Sequence, residues 1–173
     1  MGRGYDVTGR ETRGEFKSLA FASQVDLVAQ DLRSMCWRED ALVVANSFGA
    51  YLFLHAQAQL APFIGKVLLL SPIVGEFAKD EPSEDEEAGG WLGFIPPMAR
   101  KLADLIQSGS FPSPPRCEIH VGSKDWQSNP RSVAFLGERL GLSVTVVPDA
   151  GHGLPKAYVS GVLDHWLPHP SHS

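Results

Sequence analysis

Four short apolar runs, separated by stretches of helical spacing, constrain this chain more than any other feature. Ala41-Leu-Val-Val-Ala45, Lys66-Val-Leu-Leu-Leu70, Cys117-Glu-Ile-His-Val121 and Ser143-Val-Thr-Val-Val147 are rich in aliphatic and β-branched residues. Each is too short for a helix and reads as a strand. Continuous apolar runs of this kind suit a parallel sheet covered on both faces. Before the first run, Val25, Val28, Leu32 and Met35 recur at helical spacing. Residues 49–60 are Ala-rich and contain no proline. Val133, Leu136 and Leu140 mark a helix opened by Pro130, and Tyr158, Val162 and Trp166 share a face of a last one opened by Pro155. Strands alternating with helices predict βαβ crossovers, hence an α/β fold: a mostly parallel sheet with helices on both faces. Tyr5-Asp-Val-Thr8 predicts one further, weaker strand.

Three stretches break the rhythm. Asp80, Glu81, Glu84, Asp85, Glu86 and Glu87 concentrate negative charge ahead of Gly89-Gly90, which predicts a mobile surface segment over 79–90. The chain carries a net charge of −5, so without this run the rest is close to neutral. No basic stripe is present, which argues against a nucleic-acid partner. Residues 109–115 are Pro-rich and predict a stiff connector. The chain reads as a frayed tail from His165 onward, with 167–173 flexible. A length of 173 residues fits one domain.

Cys36 and Cys117 make no disulfide framework. No stretch resembles a signal peptide, and none approaches the ~20 apolar residues of a membrane span. The expectation is a cytoplasmic protein with no membrane partner. Metal is not expected either: His165, His169 and His172 lack ligand spacing, and the acidic run lacks the pattern of a calcium loop. His55 and His120, within a helix and a strand, are expected to be structural.

Ala45-Asn46-Ser47-Phe48-Gly49 sits where the first strong strand hands over to a helix. This is the setting of the G-x-S-x-G nucleophile elbow, with alanine in place of the first glycine. A sharp turn there lifts the serine hydroxyl above the sheet edge and demands small neighbours. The following helix points its N-terminus at the serine, which favours developing negative charge. The backbone N–H of Phe48 is then one oxyanion donor. Serine in this place also serves as a simple helix N-cap.

Two further residues fall at strand ends. Asp125 follows the third run within Gly122-Ser-Lys-Asp125, and His152 follows the fourth within Pro148-Asp-Ala-Gly-His-Gly153. The glycines flanking His152, Gly151 and Gly153, are expected to let its loop pack against the serine; an aspartate after a strand is often only a turn former. Asp149 is a rival acid, although it lies close in sequence to His152.

The order serine, acid, histidine at three successive strand ends resembles the α/β-hydrolase superfamily, especially its small members, over about residues 41–166. The resemblance implies a triad of Ser47, Asp125 and His152, acting on an ester or related acyl substrate without a cofactor. It further implies that Trp91, Phe94 and Met98 line an acyl pocket within a cap spanning 76–98; ordinary packing of a helix from Pro97 explains the same cluster. The chain departs from the pattern in two places. The spacing from Asp125 to Pro130 is long. Only 46 residues precede Ser47, too few for the earlier strands of the superfamily and the loop that gives a second oxyanion N–H. The expectation is a compact version of the fold lacking some N-terminal strands, or a late start, with that second donor weak or absent. Alternatives of other classes are a binding module that keeps the fold without turnover, and a lyase or acyltransferase using the same triad.

Overall fold

A computed structural model describes residues 5–74 and 96–168, with 96–100 described in backbone only. The chain-order elements are α1 (Glu15–Ser18), α2 (Phe21–Asp31), a π turn (Leu32–Cys36), β1 (Leu42–Asn46), α3 (Phe48–Gln57) and β2 (Lys66–Leu70). Then follow α4 (Pro96–Gln107), β3 (Cys117–Gly122), α5 (Pro130–Leu140), β4 (Ser143–Val147) and α6 (Lys156–Trp166). The four strands form one parallel sheet in the order β1-β2-β3-β4. Asn46 pairs with Leu70, Leu70 with His120, and His120 with Thr145, so the carboxyl ends line up along one edge.

The alternation of side chains along β2 builds two cores. Val67 and Leu69 join Ile119 and Val121 of β3 under α2, α3, α4 and α5. Leu68 and Leu70 point the other way, onto Trp166 and the partly buried Val159, Val162 and Leu163 of α6. Helices therefore cover both faces, and each fully buried leucine of β2 contributes about 2 kcal/mol. α5 starts where the sequence marks it: the Asn129 side chain accepts from the N–H groups of Arg131 and Ser132, and Pro130 occupies the first turn. It lies so close to β4 that a Cβ on Gly137 would stand 2.2 Å from Val144 Cγ2. No helix of the described residues is long and apolar enough to cross a membrane.

Three expectations need correction. Tyr5–Thr8 is no strand; Val7 is 90% exposed, and an isolated β-branched residue without a paired neighbour gains nothing from extension. Met35 does not share the buried face of Val25 and Leu32. The π turn admits an extra residue per turn and rotates Met35 outward, where it is exposed. His165 belongs to α6, where its Nδ1 meets the Gly161 carbonyl at 2.7 Å. The acidic run at 80–87, Trp91 and Phe94 lie outside the described residues. Met98 falls in the first turn of α4, with its side chain outside them.

Candidate active site

Ser47 is the single residue between β1 and α3, at φ 52 and ψ −118, a conformation that L-residues rarely adopt. Two backbone bonds hold it there. Its N–H donates to the Leu70 carbonyl at 2.8 Å, and its carbonyl accepts from Tyr51 N–H at 3.1 Å. The side chain does not cap α3. Its Oγ lies instead 2.6 Å from Nε2 of His152. Phe48 opens α3, where first-turn N–H groups have no intrahelical acceptor.

His152 sits on the loop after β4, with its side chain one-fifth exposed. Its Nδ1 lies 3.0 Å from Asp125 Oδ2 and 3.1 Å from Oδ1. A carboxylate can only accept, so the ring proton is on Nδ1 and the Nε2 lone pair faces the Ser47 hydroxyl. The Asp125 side chain is fully buried. It is held by the N–H groups of Gln127 and Ser128, which donate to Oδ1 at 2.9 and 2.8 Å. The long spacing before Pro130 is used for this turn and for the Asn129 cap.

Asp149 plays no part in this cluster. It is exposed, at φ 57, and pairs with Lys124 at 2.7 Å. His55 is buried in the first core against the rings of Phe21 and Tyr51. His120 meets the Tyr158 hydroxyl through Nδ1 at 2.7 Å.

The glycines that bring the loops together are not the ones flanking the serine and histidine. A Cβ on Gly49, Gly151 or Gly153 would meet nothing within 4 Å. A Cβ on Gly122 would stand 2.2 Å from the Ala150 carbonyl oxygen and 2.4 Å from that of Gly151. Gly122 ends β3 beside Val147, so its missing side chain lets the His152 loop lie against the Asp125 loop. Three bonds join the loops: Lys124 N–H to Ala150 O, Ser123 N–H to Val147 O, and Asp149 N–H to Ser123 Oγ, each at 2.9 Å.

Sequence reasoning also missed Ser128, which is fully buried with its Oγ 3.3 Å from His152 Nδ1. A hydroxyl three residues after the acid was the only available signal. Ser71, at φ 45 just after β2, is likewise fully buried beside it.

No protein-family model and no curated protein sequence matches the chain. Solved structures do. One is a monoacylglycerol lipase of Paleococcus ferrophilus, 14% identical, with 86% of this chain and 74% of that one covered and a TM-score of 0.56. Another is a lipase-esterase related protein of Clostridium acetobutylicum, 11% identical, with coverage of 85% and 75% and a TM-score of 0.55. A third is a serine hydrolase of Xanthomonas campestris described as without a lid, 18% identical, with coverage of 85% and 57% and a TM-score of 0.50. The shared architecture is the α/β-hydrolase fold.

Proposed function

We propose that this chain, built on the α/β-hydrolase fold, is a serine hydrolase of ester or related acyl substrates. The observation that carries the reading is the continuous line from Ser47 Oγ through His152 to a fully buried Asp125, at 2.6 and 3.0 Å. Ser47 Oγ attacks the carbonyl carbon while its proton passes to Nε2 of His152. Asp125 holds the imidazole by Nδ1 and balances the positive charge that then forms. The Phe48 N–H, at the positive end of α3, faces the developing oxyanion. As the tetrahedral adduct collapses, His152 returns the proton to the departing alcohol and an acyl-Ser47 ester remains. Water then gives its proton to Nε2 and attacks the ester. The acid leaves, and the proton returns to Ser47.

Intact-mass analysis after treatment with a fluorophosphonate tests the reading. The wild-type chain gains one phosphonyl group and Ser47→Ala gains none. Equal labelling of the two proteins removes Ser47 as the nucleophile.

One observation favours a second reading, a binding module with weak or no turnover. Among the described residues, those before β1 hold helices and no strand, so no strand-end loop on that side gives Ser47 a second N–H donor. A missing donor typically slows turnover ~100- to 1,000-fold. Labelling without multiple turnover of p-nitrophenyl esters would select this reading.

A further inference from the structure

We propose that Ser128 is a positioning residue that shares the Nδ1 proton of His152 with Asp125. The inference rests on the reading of Ser47 and His152 as nucleophile and base. A count of protons carries it. The Ser128 hydroxyl has one proton, and its Oγ lies 2.7 Å from the carbonyl oxygen of Ser71. A carbonyl can only accept, so the proton goes there. Toward His152 Nδ1, at 3.3 Å, the same oxygen can then act only as an acceptor. Nδ1–H thus faces three oxygens from two residues, and neither residue can supply a competing proton.

The placement is rigid at both ends. Ser128 is fully buried, and its own N–H donates to Asp125 Oδ1 at 2.8 Å. One residue therefore orients the carboxylate through its backbone and the imidazole through its hydroxyl. Its anchor, Ser71, is fixed to the sheet centre by an N–H bond to the His120 carbonyl at 2.8 Å. When the Ser47 proton reaches Nε2, the imidazolium meets the carboxylate and, beside it, the oxygen dipole of Ser128. A neutral acceptor at the longer distance is the weaker partner. Its contribution is small while Asp125 is present and large once Asp125 is gone.

The test is a cycle of fluorophosphonate labelling rates for wild type, Ser128→Ala, Asp125→Ala and the double variant. Ser128→Ala alone should slow labelling about three- to tenfold, the scale of one neutral hydrogen bond. On the Asp125→Ala background the same change should cost about 100-fold, because the last acceptor on Nδ1 is then removed. Ser128→Thr keeps the hydroxyl and restores the wild-type rate. Ser128→Cys keeps the bulk with a poor acceptor and stands in if the alanine variant does not fold. The downfield Nδ1–H proton resonance of His152 is read in parallel. It should shift in Ser128→Ala and vanish by exchange in the double variant. A packing role alone lowers stability in both backgrounds and leaves that resonance in place. Equal fractional losses with an unmoved resonance would overturn the proposal. If the wild-type chain takes no label, the reading of Ser47 fails, while the resonance, which needs no reagent, still decides the role of Ser128.

Discussion

Replacing Gly122 with alanine places a methyl group in the seam between the Asp125 and His152 loops. The new Cβ would stand 2.2 Å from Ala150 O, 2.4 Å from Gly151 O and 2.6 Å from Ala150 C, where ordinary contact begins at 3.4 Å. All three atoms are backbone, so no rotamer change relieves the clash. The His152 loop must retreat by about 1 Å against the three bonds that tie it down, and overpacking of this kind costs roughly 1–3 kcal/mol. At this chain length that lowers Tm by about 2–4 °C per kcal/mol. The same movement stretches the 3.0 Å contact between Nδ1 and Asp125 toward the limit of hydrogen bonding. Misplacement by 1 Å at a reacting group costs on the order of 100-fold in rate. The assay is the pseudo-first-order rate of fluorophosphonate labelling, paired with a thermal melt. A lower Tm with an unchanged labelling rate would show that the loops move as a unit and that Gly122 does not set the site. A wild-type melt and a wild-type rate together would refute the packing argument outright.

Other consequences can be checked separately. Asp149→Ala should leave the labelling rate within about twofold, since that carboxylate is exposed and its pairing with Lys124 is a surface one; a drop of 100-fold would transfer the role of acid to Asp149. His55 makes the fold sensitive to acid. Burial pushes its pKa down from 6.5 to about 4, and its Nε2 has no hydrogen-bond partner among the described residues. The unfolded chain therefore takes up this proton first. The contribution is complete above pH 6.5, erodes as pH falls and is gone below about pH 4, with about 2 kcal/mol lost near pH 5. Urea midpoints measured from pH 7 to pH 4 should fall less steeply in His55→Leu than in the wild type, and parallel slopes would count against it. Asn129→Ala removes the cap of α5 and should cost about 1 kcal/mol in a chemical melt; no change would mean that Pro130 alone fixes the helix start.

The sheet was legible because each strand is a short aliphatic run bounded by turn residues, so β2, β3 and β4 stand at or within a residue of where the pattern puts them. The start of α5 was equally plain, since Pro130 acts locally. The π turn was not, because nothing in Leu32–Cys36, with no Gly or Pro, marks a local change of helix type. Ser47, Asp125 and His152 stood out as candidates because each follows a strand at one edge of the sheet. The steric role of glycine was misread at Gly49, Gly151 and Gly153. Close approach is a property of two loops together, and only Gly122 lies where they touch. Ser128 was hidden for the same reason: its partners, Ser71 and His152, stand on either side of it in the chain, 57 and 24 residues away.

The non-glycine residues held at positive φ among the described residues are Ser47, Ser71 and Asp149, and each closes a strand at the same edge of the sheet. Backbone held in such regions costs on the order of 1–3 kcal/mol per residue. Glycine adopts it without that penalty. Heat resistance and the candidate chemistry therefore make opposite demands on position 47. A mutagenesis library screened for thermal survival alone would take up Ser47→Gly early, keep the fold and discard the hydroxyl. A rise in melting temperature within such a library is then a warning sign for the site, and any effort to harden this scaffold has to hold position 47 fixed and find its gains elsewhere.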